Sequence, residues 1–210
     1  MMSTPTMYAL MGCTFGLAGG LSPGPLTALL IRQTLDRGLR AGVLVAIAPL
    51  ITDGPLLFIF CAGLGAVVYG SAVETALSLV GSVFLIYLAI ETWRSAGRGL
   101  DRPGETPGGT VWRAILTNVL NPHPYLFWGA VGAPTTMKAV EDGVSSMVAF
   151  LLSFFVCLVG SKVVIASLIA RHRDALRARI YRPMMCGLAI ALGVFALVLV
   201  VDVIRTPSGG

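Results

Sequence analysis

Charge is what this sequence has least of. Asp, Glu, Lys and Arg make up 12% of its 210 residues, about half the roughly 25% usual in soluble domains. Hydrophobic residues reach 56% and mean hydropathy is +0.85, more apolar surface than a water-soluble fold of this size can bury. A soluble enzyme and a soluble binding module are both excluded.

Cysteine is sparse too. Cys13, Cys61, Cys157 and Cys186 each fall inside an apolar run and none belongs to a CxxC pair, so they read as small packing residues. The net charge of +5 does not indicate nucleic acid, because the arginines lie in short links between apolar segments and report topology instead. No basic segment precedes the first apolar stretch and no small-residue cleavage pattern follows it, so that stretch is expected to be retained as a span.

What is present is a set of six apolar runs, at about residues 7–31, 41–69, 71–93, 112–133, 145–170 and 183–203. A helix needs about 20 apolar residues to cross about 30 Å of hydrocarbon. The expected fold is an all-α membrane protein of six transmembrane helices. Arg32, Arg37 and Arg40 follow the first run, Arg94, Arg98, Arg102 and Arg113 lie between the third and fourth, and Arg171, Arg173, Arg177, Arg179 and Arg182 precede the sixth. The alternate links hold only Lys138 and Arg205. The positive-inside rule therefore puts the arginine-rich links in the cytoplasm and both termini outside, N-out and C-out, in an inner (cytoplasmic) membrane.

The chain divides into halves. Residues 1–96 form a first three-helix repeat, 97–111 a Gly- and Pro-rich cytoplasmic linker, 112–204 a second three-helix repeat, and 205–210 a short tail. GLSPGP at 20–25 is echoed by VLNPHP at 119–124: Leu21, Pro23 and Pro25 return as Leu120, Pro122 and Pro124. Each copy lies in the first span of its half. An odd number of spans per half makes the repeat inverted.

Paired prolines remove backbone donors and clash with the preceding turn, so each copy should break its helix. Broken backbone is tolerated at membrane depth only against protein or a water-lined cavity. The breaks are thus candidate binding elements, with Ser22 and Asn121 able to supply side-chain hydrogen bonds. His123 lies in the second break, where it titrates, contacts substrate or is simply hydrogen-bonded. Gly12, Gly16 and Gly20 recur every four residues and read as a packing face.

Two ionisable residues fall deep in apolar runs. At about 1.5 Å per residue, Asp53 lies about 18 Å and Lys162 about 14 Å from the cytoplasmic boundary. Left facing lipid, each would cost roughly 2.5–3.5 kcal/mol, so both should face the interior. They are close enough in depth to form an ion pair, which either serves transport or merely fixes helix register. Glu74, Glu91 and Asp202 fall near span ends and carry no special expectation. The segment RHRDALRARIYR at 171–182 suits a short anchor helix on the anionic inner leaflet.

The motifs GGLSPGP at 19–25, DRGLRAG at 36–42, TDG at 52–54 and TNVLNPHPYLFW at 117–128 jointly resemble the LysE/RhtB family of amino-acid exporters. The resemblance covers nearly the whole chain. It implies efflux of amino acids or related small polar metabolites, proton antiport, no cofactor, no enzymatic activity, and a homo-oligomer in a lipid membrane. Carried over by motif position, the site comprises Ser22, Pro23, Gly24, Pro25, Asp53, Asn121 and Pro122, to which the charge and break arguments add His123 and Lys162. Three positions depart from the family pattern: Thr52 where glycine is usual, His123-Pro124-Tyr125 where Lys-Ala is common, and Lys162 itself.

Rival classes lack their reacting groups. A membrane thiol–disulfide electron carrier needs a cysteine in each break, and Gly24 and His123 occupy those places. A metal-ion exporter needs clustered Cys, His or carboxylate ligands, and Asp53 has no neighbouring ligand motif, so no metal site is expected. An intramembrane hydrolase would have only Ser22 and His123 to pair.

Overall fold

The protein is described by a computed structural model covering residues 3–63, 72–97 and 107–205. Most of the Gly- and Pro-rich linker, the end of the second apolar run and the tail beyond Arg205 lie outside the described residues, as do the side chains of Glu74, Pro122, Arg177, Arg179 and Asp202. Every regular element described is helical: α1 Thr4–Leu21, α2 Pro25–Arg37, α3 Leu39–Ala46, α4 Ala48–Cys61, α5 Ala72–Gly97, α6 Pro107–Val119, α7 Pro122–Phe127, a π turn Trp128–Gly132, α8 Ala133–Glu141, α9 Val144–Arg171 and α10 Arg173–Arg205.

Proline decides where the apolar runs are cut. The first run is cut between Leu21 and Pro25, and α2 leaves α1 at 63°. Pro25 takes the first position of α2, where a missing N–H costs nothing. The fourth run is cut between Val119 and Pro122. Further on, Pro134 lacks the N–H that an α-turn would use, and the wider π turn just before α8 absorbs the mismatch.

Among the described residues, Leu39–Cys61, Val144–Arg171 and Tyr181–Val198 are long and apolar enough to cross a membrane, and the bent pair α1–α2 makes a fourth candidate. The other two runs expected from sequence are not among these candidates. The 112–133 run is divided among α6, α7, the π turn and α8, none of span length. The 71–93 run lies within α5, a helix of 26 residues that carries Glu91 and Arg94. The 171–182 segment is no separate surface helix: from Arg173 it is the first part of α10.

The exterior is apolar, and the interior combines apolar clusters with buried polar and charged side chains. Phe58 is 73% exposed and Leu152 63%, while Arg32, Asp53 and Lys162 are buried. Such a surface matches hydrocarbon, and such an interior needs internal hydrogen bonds. α1 lies along α9, and α5 along α10. The Gly12, Gly16 and Gly20 face is what brings α1 and α9 together: a Cβ at any of the three would collide with Ser153 and Phe150, Phe154, or Ser161 of α9. Side chains of α2 pack into two clusters, one with α3, α4, α6 and α9 and one with α5 and α10, so α2 is buried at the centre despite carrying Arg32, Gln33 and Thr34.

Candidate functional site

The two deep charges attach to different breaks. Lys162, on α9, donates from Nζ to the Gly20 carbonyl at 3.3 Å and to Thr27 Oγ1 at 3.1 Å, and Thr27 donates in turn to the Ser22 carbonyl at 3.0 Å. The ammonium thus sits at the carbonyl end of α1, where helix dipole and cation attract, and bridges to the first turn of α2. The Gly20 carbonyl, near the end of α1, is met by a side chain from another helix.

Asp53, on α4, belongs to the second break. Its Oδ1 accepts from Asn118 Nδ2 at 2.9 Å and from Thr52 Oγ1 at 3.1 Å. Asn118 Nδ2 also donates to Thr52 Oγ1 at 2.6 Å. Asn118 lies in the last turn of α6, just before the break, and beyond it the Tyr125 hydroxyl donates to the Val119 carbonyl at 2.8 Å. Trp128 follows in the π turn, fully buried.

No ion pair joins Asp53 and Lys162 among the described residues; Lys162 bonds at the first break instead. The remaining site residues are arranged less tightly. Pro25 is buried, Ser22 and Gly24 are half-buried, and Pro23 is exposed. Asn121 caps α7 by accepting the His123 backbone N–H at 3.2 Å, and the His123 residue itself is exposed. The second break packs against α5, where a Cβ on Gly81 would strike the Leu120 carbonyl.

Sequence reasoning missed two partners of Asp53: Asn118 and the hydroxyl of Thr52. Asn118 lies within the TNVLNPHPYLFW motif, but nothing local in the sequence pairs it with a residue 65 positions away. It also missed a buried ionic cluster. Arg32 meets Glu91 at 3.1 Å and Asp36 at 3.6 Å, and Arg113 reaches Glu91 at 2.7 Å. The Tyr181 hydroxyl donates to Asp36 at 2.7 Å. Arg32 therefore belongs to the packed interior of α2 and not to a link. No group of three or more His, Cys, Asp or Glu side chains converges among the described residues.

The family model described as LysE type translocator matches residues 17–203. The chemotactic transduction protein ChpE of Pseudomonas aeruginosa is 25% identical over 69% of this chain and 72% of its own length. The leucine efflux proteins of Salmonella choleraesuis and Salmonella typhimurium are each 28% identical over 51% of this chain. The match spans about half of the leucine efflux proteins, 53% of their length. No solved structure matches the chain.

Proposed function

The chain belongs to the LysE type translocator family, and from that premise we propose that it exports amino acids or related small polar metabolites across the inner membrane by proton antiport. Membership makes it a multi-pass membrane translocator, not an enzyme. The proposal adds the coupling ion, the cargo class, an arrangement as two inverted three-helix repeats with both termini outside, and a homo-oligomeric state.

The observation that carries the coupling proposal is the Asp53 carboxylate, 5% exposed and bonded to Thr52 and Asn118 beside a helix break. An ionisable group kept inside a membrane at such a cost marks a pathway. The leucine efflux relatives support the cargo class. In the proposed cycle Asp53 takes a proton from outside as cargo leaves, and gives it to the cytoplasm as the site reloads. One proton crossing about 100 mV supplies roughly 2.3 kcal/mol, and each pH unit adds roughly 1.4 kcal/mol. Either alone sustains a tenfold gradient of a net-neutral solute at 1.4 kcal/mol per tenfold.

The test is Asp53→Asn in proteoliposomes loaded with an amino-acid mixture. Export driven by an imposed pH gradient should vanish while exchange at equal pH survives. A variant that still concentrates cargo against its gradient would make Asp53 structural.

A further inference from the structure

Proline chemistry takes the helical partners away from carbonyls at the first break. Pro23 and Pro25 have no N–H with which to meet the carbonyls of Gly19 and Leu21, four residues before them. Gly24, which would serve the Gly20 carbonyl in a continuous helix, is extended instead, at φ −167° and ψ 178°. Backbone oxygens are thus released at the negative end of the α1 dipole. The Lys162 ammonium comes to them, 3.3 Å from the Gly20 carbonyl and 3.1 Å from Thr27 Oγ1. Thr27 spends its own proton on the Ser22 carbonyl at 3.0 Å, which turns the lone pairs of its hydroxyl towards the ammonium.

Gly20 makes this approach possible. A Cβ there would collide with Ser161 Oγ, so glycine lets the stretch of α9 that carries Lys162 come up to the break. Lys162 is 3% exposed, and no ion pair to it is found among the described residues. Its buried charge is met by uncharged carbonyl and hydroxyl oxygens. Oxygens of that kind replace the water shell of a desolvated monovalent cation, and unwound carbonyls at half-helix C-termini are where broken membrane helices hold such ions.

We propose that the first break is a binding site for a small monovalent cation, and that the chain's own Lys162 ammonium occupies it as a tethered ion. The Gly20 carbonyl and the Thr27 hydroxyl are its ligands, with the Ser22 carbonyl orienting the hydroxyl. An ion on a covalent stem does not exchange with solution. The break therefore stays assembled without sodium or potassium, and a gradient of either cannot drive it. The inference stands on the first break alone: it needs neither Asp53 as the coupling group nor any particular cargo, and it survives the failure of both.

The experiment frees the site and offers it ions from solution. Lys162→Ala removes the ammonium and opens the space of its stem, whereas Lys162→Met removes the charge and keeps the space filled. Each full chain is purified into lipid nanodiscs in potassium, methylammonium or choline chloride at equal ionic strength, choline being too bulky for the site. Thermal unfolding and amide hydrogen exchange are then followed. Lys162→Ala should unfold several degrees below the parent in choline and regain most of that loss, saturably, in potassium or methylammonium. The accompanying slowing of exchange should be confined to the amides around residues 20–28. Lys162→Met should gain nothing from either cation, and the parent should keep one midpoint in every salt. Adding Thr27→Val to Lys162→Ala should raise the cation concentration needed at least about tenfold, the usual worth of one charge-assisted contact; Thr27→Ser should not.

A Lys162→Ala protein as stable in choline as the parent overturns the inference, as does one that no small cation restores or that folds in none of the salts. A Lys162→Met protein that responds as strongly as Lys162→Ala overturns it too. So does a parent whose midpoint climbs with potassium as steeply as that of Lys162→Ala, because a filled site has no room for a second ion.

Discussion

Arg32 on α2 and Glu91 on α5 meet at 3.1 Å, and the same carboxylate takes Arg113 of α6 at 2.7 Å. One acidic side chain therefore ties three helices, with the Arg32 guanidinium also donating to Thr92 at 3.2 Å. Since the Arg32 side chain is 4% exposed, water cannot take over the role of its partner.

Glu91→Gln is expected to destabilise the protein by up to about 3–5 kcal/mol, the cost of stranding a buried charge. Thermal unfolding in detergent measures it. Removing the charges together, as Arg32→Met with Glu91→Leu, should recover much of the loss. A double variant less stable than Glu91→Gln would mean that the pair contributes more than the relief of stranded charge.

The α1–α9 contact separates two chemically identical substitutions. Gly16→Ala places a methyl against the Phe154 carbonyl and Cys157, whereas a methyl at Gly160 meets nothing within 4 Å. Gly16→Ala should lower the unfolding midpoint measurably, and Gly160→Ala should stay within about 0.5 kcal/mol of the parent. Equal effects would show that the glycine face does not set the helix approach.

Asn118→Leu removes the stronger of the two hydrogen bonds to Asp53, at 2.9 Å against 3.1 Å from Thr52, and leaves a buried carboxylate underserved. A loss of roughly 1–3 kcal/mol is expected. In an Asp53→Asn background the same substitution should cost less, and a double-mutant cycle should return a coupling of about 0.5–3 kcal/mol. Additive losses would mean that the bond carries no energy.

Topology has its own test. Reporter fusions at Gly104 and Gly210 should report cytoplasm and exterior respectively, following the arginine bias. A signal outside at Gly104 would remove the N-out, C-out assignment, and Gly104 and Gly210 on the same side would remove the three-span second half and with it the inverted-repeat argument.

Much of the site was legible because proline and charge speak locally. The two cuts fall where the paired prolines stand, and Asp53 and Lys162 are inside because no intramembrane charge can profitably face lipid. Their partners were not legible. An ion pair between them was a fair expectation from depth alone, yet depth says nothing of azimuth, and Lys162 found the Gly20 carbonyl 142 positions away. Arg32 misled for a similar reason: an arginine after an apolar run looks like a link residue, and only the continuation of α2 to Arg37 carries it into the core.

The sequence by itself determined that this chain is helical, apolar outside, cut at two proline pairs and a member of a translocator family, because composition, proline chemistry and motif are properties of single segments. Only the tertiary structure decided which break each charge serves, with no ion pair between Asp53 and Lys162 among the described residues, because hydrogen bonds act over about 3 Å and join residues such as Asn118 and Asp53 that stand 65 positions apart.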